Sequence, residues 1–165
     1  MNDWTYNGNV ISSVDDIYKY TGNNDVFGFI YEITHIPTGK KYLGRKQLIY
    51  TRKKKIGKRE TERLKQEKKE NDEPNWWIVP KSKYVKKESD WKTYYGSSSD
   101  VKELLKEGTE KDFKREILDF AYHKKQLNYR ETKLLFTREV LENDEYINSN
   151  IQGKWYKKDT KDVLE

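Results

Sequence analysis

The residue that most demands a chemical explanation is Glu131. His123 to Asn143 is the longest uninterrupted helical pattern in the chain, and on a helical wheel Glu131 falls inside the stripe of Leu127, Leu134, Leu135 and Leu141. A carboxylate taken out of water is costly unless it is paired or metal-bound. Two kinds of partner would satisfy it: Arg138 or Arg130 in a structural ion pair, or a single divalent ion completed by water and phosphate. Mg²⁺ (or Mn²⁺) suits the second arrangement, because Mg²⁺ keeps several waters and binds through one or two carboxylates plus substrate phosphates. An ion held in this way can orient water and offset charge on a phosphate being hydrolysed.

The second chemical signal is the placement of charge. The net charge of +6 conceals an asymmetry: Lys40 to Lys92 holds 19 Lys or Arg against 8 Asp or Glu, whereas the remainder holds 15 against 20. A basic third on an acidic body suits a polyanion, which attracts concentrated positive charge whatever sequence it carries. The run Arg52-Lys53-Lys54-Lys55 repels itself unless an anion is near. Trp76, Trp77, Tyr84 and Trp91 are interleaved with Lys81, Lys83, Lys86 and Lys87, and rings among cations can stack on bases. The alternatives are a solvated lysine-rich face and core positions for Trp76 and Trp77.

Composition narrows the remaining classes. Of 165 residues, 38% are charged and 33% hydrophobic, against roughly 25% and 45–50% in an average globular chain. The core is therefore small, and 5 Trp, 13 Tyr and 5 Phe must supply much of it. Without cysteine there is no disulfide or thiolate metal site, and two histidines cannot complete a zinc shell unaided. No stretch approaches the roughly 18 apolar residues of a membrane span, and Met1-Asn2-Asp3-Trp4 lacks the features of a signal peptide. A single soluble domain over 1–165 is the expectation.

These residues need elements to hold them. Ser12 or Ser13 with Asp15 or Asp16, closed by Gly22, predicts a helix over about 13–20. Val26 to Thr34, the Pro37-Thr38-Gly39 turn and Lys40 to Arg45 predict a β-hairpin. Ile56 to Asn71 is almost wholly charged, a solvated helix or a mobile stretch, and Pro74 and Pro80 break any regular element beyond it. Ser97-Ser98-Ser99-Asp100 and Gly108 bracket a helix at about 98–107. Phe113 to Ala121 reads as a strand, with a helix as alternative, Tyr146 to Ile151 as a last strand, and Lys154 to Glu165 as a fraying tail. The tripeptides Tyr42-Leu43-Gly44 and Tyr94-Tyr95-Gly96 are too short to make a repeat.

The hairpin also carries a resemblance. Phe29-Ile30-Tyr31, followed by ten residues and Tyr42-Leu43-Gly44, resembles the paired tripeptides of the GIY-YIG endonuclease family. Arg52, ten residues beyond the second tyrosine, Glu131 on a later helix and Asn148 near the last strand stand in the family's order. Further stretches, such as Ser89 to Ser97 and Phe113 to Leu118, are similar to free-standing, homing-type endonucleases of T-even-like phages. The resemblance covers about Phe27 to Ile151.

The resemblance implies an α+β fold, a small three-stranded antiparallel sheet flanked by helices, with a basic insertion at 53–90 after the hairpin. It implies phosphodiester hydrolysis in double-stranded DNA, by nicking or double-strand cutting, with one divalent ion. Tyr31 or Tyr42 would activate or orient the attacking water, Arg52 would hold the scissile phosphate, Glu131 would bind the metal and Asn148 would organise the site, with Asn150 as its rival. Because Arg52 runs into the insertion instead of a helix, Arg45 or Lys46 could make the phosphate contact. DNA contacts would come from Lys53, Lys54, Lys55, Lys58, Arg59, Lys81, Lys83, Lys86, Lys87 and Trp91. His35, beside the turn, reads as a surface residue more than a proton carrier.

A phage or mobile-element origin would place the protein in the cytoplasm of a bacterial host. Cutting both strands would call for a homodimer or two sequential nicks. The competing readings are an inactive nucleic-acid-binding module on the same scaffold and an RNA-directed protein.

Overall fold

The structure is a computed structural model and describes residues 2–162. Its order begins with strands β1 (Trp4–Tyr6) and β2 (Asn9–Ile11), helix α1 (Val14–Thr21), and strands β3 (Gly28–His35), β4 (Lys40–Gln47) and β5 (Ile49–Lys55). Next come helix α2 (Lys58–Glu70), strand β6 (Ser82–Glu88), helix α3 (Ser99–Glu107), strand β7 (Phe113–Ala121) and helix α4 (Lys124–Thr137). Short strands β8 (Asn150–Ile151) and β9 (Trp155–Tyr156) close the series. The chain divides into two compact units: Ile49–Glu88 is one and the rest of the chain is the other. No helix among the described residues is long and apolar enough to cross a membrane.

The fold is α+β, but the main sheet has five strands where three were expected, in the order β2-β1-β7-β3-β4. The antiparallel trio β7-β3-β4 is extended by an N-terminal hairpin whose first strand runs parallel to β7, with Trp4 opposite Arg115. That hairpin turns through Asn7-Gly8, both at positive φ, the pair that a two-residue turn between twisted strands favours.

β3 is paired on both edges and buried at seven of its eight residues, so both its faces are covered. Phe29, Tyr31 and Ile33 share one face and Ile30 and Glu32 the other, by the alternation of a strand. The first face meets Trp4 and Trp91, with Trp4 edge-on to Phe29 at 5.2 Å and to Tyr31 at 5.4 Å. Ile30 joins Leu43, Leu127, Leu135 and Val140 in the cluster beneath α4. Trp91 was expected at DNA and is instead completely buried. Its carbonyl accepts a hydrogen bond from Trp4 Nε1 at 2.7 Å, and a ring that closes the core has no face left for a base.

α1 keeps the expected bounds to within a residue, with Ser13 and Asp16 forming a reciprocal cap and Gly22 ending it at φ 65°. α4 ends six residues before Asn143. Glu139 adopts φ 50°, and the Glu139 and Val140 amides bond back to the Phe136 and Leu135 carbonyls, a left-handed C-terminal motif made without its usual glycine. Tyr146 does not open a long strand: Lys41 bridges to it, and only Asn150–Ile151 pairs, with β9. The segment from Lys154 is docked rather than frayed, with Trp155 edge-on to Phe136 at 5.3 Å and Lys157 Nζ donating to the Tyr146 carbonyl at 2.7 Å. Val163 to Glu165 lie outside the described residues. His35 is buried, its Nδ1 2.7 Å from Thr38 Oγ1, because β3 is covered to its last residue.

The second unit pairs β5 with β6 in antiparallel register from Ile49 opposite Glu88 to Lys55 opposite Ser82. Neither strand was expected; Ile49-Tyr50 and Tyr84-Val85 stand as adjacent pairs among charges, so no apolar alternation marks the strands. Alternation sends successive side chains of Arg52-Lys53-Lys54-Lys55 to opposite faces, and Lys83, opposite Lys54, is paired with Glu60 of α2. α2 buries none of its residues and is the solvated helix allowed by its composition.

Candidate active site

The β3–β4 register sets Tyr31 opposite Gly44 and Ile33 opposite Tyr42. β4 is an edge strand of the sheet, and the missing side chain at Gly44 is where the Tyr31 ring lies: a Cβ there would come within 2.5 Å of Tyr31 Oη and 2.7 Å of its Cζ. Gly96, at φ +90°, closes on the same rings, its Cβ position 3.3 Å from Tyr31 Oη and from Tyr42 Cε1. Two tyrosines are thus packed between two glycines.

On the other face of β4, Arg45 reaches α4. Its Nη1 donates to Glu131 Oε2 at 2.7 Å. The alternatives for pairing Glu131 are occupied elsewhere: Arg130 bonds Asp119 and the Phe120 carbonyl, and Arg138 bonds Glu32, to which Tyr146 also donates. Tyr31, Tyr42, Arg45, Glu131 and Asn148 all line one open cleft of about 920 Å³.

Electrostatics differ between the members. Burial pushes the Tyr31 hydroxyl well above its usual pKa, with Tyr94 and Tyr42 adding to the shift, so it is a neutral hydroxyl near pH 7. Burial also raises Tyr42, opposed by a hydrogen bond from the Ser97 side chain and by the nearby Arg45 charge. Burial raises Glu131 too, against the pull of Arg45. The carboxylate is held where its charge is poorly solvated and only partly compensated, the condition under which a cation adds most.

Asn148 is placed differently from its expected role at a water. Its Oδ1 accepts from the Leu43 amide at 3.1 Å and its Nδ2 donates to the Leu43 carbonyl at 2.8 Å, so it clips the edge of β4 between Tyr42 and Gly44. Asn150 caps a turn, accepting from the Gly153 amide at 2.9 Å. Replacing Asn148 by Ala is expected to cost about 1–3 kcal/mol, because two buried backbone groups lose their partner. Urea unfolding without metal or DNA checks this, and an unchanged midpoint would mean that the clip holds nothing in place.

Lys46 does not line the cleft. It is buried, with Nζ 2.5 Å from Asp90 Oδ1 and 3.8 Å from the centre of the Tyr94 ring. Arg52 is exposed on β5, in the second unit. Lys53, Lys54, Lys55, Lys58, Arg59, Lys81, Lys86 and Lys87 are exposed in the second unit, while Lys83 is half-buried and bound to Glu60 at 2.6 Å. Sequence reasoning gave no role to Ser97, Tyr94 or Gly96. Gly44 and Gly96, the last residues of the two similar tripeptides, both approach Tyr31 Oη.

Arg115 holds that second strip. Its guanidinium lies 4.7 Å from the Trp4 ring and 4.3 Å from the Tyr95 ring, and Nη1 donates to the Lys92 and Tyr94 carbonyls, each at 2.9 Å.

Residues 4–151 match the family model described as "Putative endonuclease segE, GIY-YIG domain". The chain belongs to the GIY-YIG endonuclease family. No curated protein and no solved structure matches it significantly. Membership implies a nuclease, a hydrolase acting on DNA. In this GIY-YIG domain no group of three or more His, Cys, Asp or Glu is gathered among the described residues. Glu131 and Asp100 are the carboxylates that line the cleft; Glu131 Oε1 forms no hydrogen bond among the described residues while Oε2 takes Arg45. A hard cation that retains most of its water fits this donor set; a zinc site does not.

Proposed function

We propose that the cleft is the active centre of a metal-dependent endonuclease that hydrolyses phosphodiester bonds in double-stranded DNA. The observation that carries the reading is one cleft shared by two packed tyrosines, a guanidinium and a partly desolvated carboxylate. Glu131 would hold one Mg²⁺ or Mn²⁺ through its oxygens. Bound there, the ion would lower the pKa of a coordinated water and neutralise charge on the phosphate.

The chain's own groups do the rest. Arg45, paired with Glu131 in this structure, is placed to exchange that carboxylate for a phosphate oxygen and to stabilise the charge that grows there, a task suited to a planar, permanently charged group. Tyr31, neutral and fixed by packing, orients a water through its hydroxyl. Burial holds Tyr42 neutral as well, although Ser97 and Arg45 favour its ionised form, so it too would orient water as a hydroxyl. The exposed cations of the second unit supply sequence-independent attraction to the duplex.

The likeness to free-standing phage endonucleases extends the reading to a phage- or mobile-element-encoded enzyme working in a bacterial host's cytoplasm. With one cleft per chain, double-strand cutting would use a homodimer or two successive nicks.

Supercoiled plasmid incubated with Mg²⁺ is expected to convert to open circle or linear form, with no conversion in EDTA. Arg45→Ala is expected to slow the conversion by about 10²–10³-fold, the scale of losing one donor to a developing oxyanion. Binding without any metal-dependent conversion would instead favour the inactive binding module.

A further inference from the structure

We infer that β5 and β6 form a preshaped two-stranded ribbon that enters the major groove of B-form DNA and reads base edges there. The inference rests on the proposed action on DNA and concerns the second unit alone. Seven residue pairs run from Ile49–Glu88 to Lys55–Ser82, a ribbon about 23 Å long at roughly 3.3 Å per residue. A B-form major groove, about 12 Å wide and 8.5 Å deep, admits a two-stranded ribbon, whereas the major groove of an RNA duplex is too deep and narrow for side chains to read.

Charge within the unit is sorted in the same sense. The two strands carry seven Lys or Arg against Glu88 alone, while the other six acidic residues of Ile49–Glu88 lie on α2 and in the turn just after it. α2 meets one face of the ribbon, where Lys83 Nζ bonds Glu60 Oε1 at 2.6 Å and Lys54 adds to the field on that carboxylate. Cross-strand partners share a face, so the opposite face presents Thr51 with Lys86, Lys53 with Tyr84, and Lys55 with Ser82, with Ile49 and Glu88 at its end.

That face has the chemistry of a reader. Lysine donates to guanine O6 and N7, a threonine methyl packs on the thymine methyl, and a hydroxyl pairs with donors or acceptors. Tyr84 is 73% exposed and Thr51, Lys53 and Lys55 are exposed. An apolar core has no use for a tyrosine so displayed, and a ribbon that only neutralised phosphates would need cations alone. The sequence preference of the enzyme therefore resides at least partly in Thr51, Lys53 and Tyr84.

The test is binding of the full chain in EDTA, at one stated salt concentration, to three probes. They are a 30-base-pair DNA duplex, the same duplex with its guanines methylated at N7, and an RNA duplex of the same sequence. Binding roughly tenfold weaker to the methylated and RNA duplexes is expected. Lys53→Gln and Tyr84→Ser, each confirmed folded by circular dichroism, should narrow the gap between methylated and unmethylated DNA. Equal affinity for the three probes, with Lys53→Gln weakening all alike, would show phosphate contact only and overturn the ribbon while leaving the nuclease reading intact. If the groove signature holds but plasmid is never cut, it is the nuclease reading that fails.

Discussion

Glu131→Gln is expected to abolish metal-dependent plasmid cleavage, by at least about 10³-fold, without lowering the stability of the protein at neutral pH. The loss of cleavage comes from the cleft's donor set. Removing the carboxylate that would hold the ion forfeits several kcal/mol of transition-state charge stabilisation, and each 1.36 kcal/mol is about a factor of ten in rate. The unimpaired stability comes from the direction in which burial moves the group. Its pKa is raised above the usual 4.5 in spite of Arg45, so the folded chain binds this proton more tightly than the unfolded chain does. Through the interval above 4.5 the native state holds more protons than the unfolded state, and the contribution of Glu131 to stability falls as pH rises.

The neutral amide keeps the shape and removes that pH-dependent loss. Arg45, whose side chain is 43% exposed, can return to water. The stability difference between variant and wild type should therefore move in the variant's favour from pH 4 to pH 7. At pH 7 Mg²⁺ should raise the melting temperature of the wild type and leave the variant unmoved, as expected for a ligand that binds only the native site. A variant that melts well below the wild type at pH 7 would make the Arg45–Glu131 pair structural, and one that still cuts would remove Glu131 from the chemistry.

The same pair shows what could be read before the structure and what could not. A glutamate among leucines on a helix announces that it needs a partner, because the cost of burying it is local and visible in the periodicity. Which partner it takes is not local: Arg45 lies 86 residues away and meets Glu131 only because β4 packs beside α4. Arg138, the nearer choice in sequence, is drawn off by Glu32. Helix α1 was legible to a residue because both its ends carry side-chain or glycine signals. The end of α4 was not, since Glu139 enters the left-handed region with no glycine to mark it.

The fourth and fifth strands had a signal that went unused. Asn7-Gly8 is a strong two-residue turn, and Trp4 and Ile11 flanking it point inward. β5 and β6 offered none, because strands without an apolar face look like any charged stretch. Arg52 fits a spacing counted along the sequence, and it falls in the second unit, which the chain enters after Leu48. The guanidinium in the cleft is that of Arg45, next to the Gly44 that closes the second tripeptide.

Gly44→Ala is expected to damage both stability and cleavage far beyond what one exposed methyl group would. No positive φ compels this glycine; the space does. The added Cβ would lie 2.5 Å from Tyr31 Oη, 2.7 Å from its Cζ and 3.1 Å from Tyr42 Cε1, closer than non-bonded atoms approach. The Tyr31 ring has nowhere to withdraw, being 1% exposed and hemmed by Trp4 at 5.4 Å, Tyr94 at 5.9 Å and Tyr42 at 6.3 Å. The strain must fall on β4, whose edge at Leu43 is clipped by Asn148. Overpacking of this kind costs about 1–3 kcal/mol, and a displacement of about 1 Å at a positioned hydroxyl can cost on the order of 10²-fold in rate. Tyr31→Phe separates the two effects, because it removes Oη and leaves Cζ in the way. In a double-mutant cycle, Tyr31→Phe should recover part of the stability lost to Gly44→Ala and none of the cleavage. Simple additivity of the two stability changes in urea unfolding would mean that Oη and the methyl group never met, and the packing of the Tyr31 hydroxyl against Gly44 would have to be abandoned as the device that sets the site.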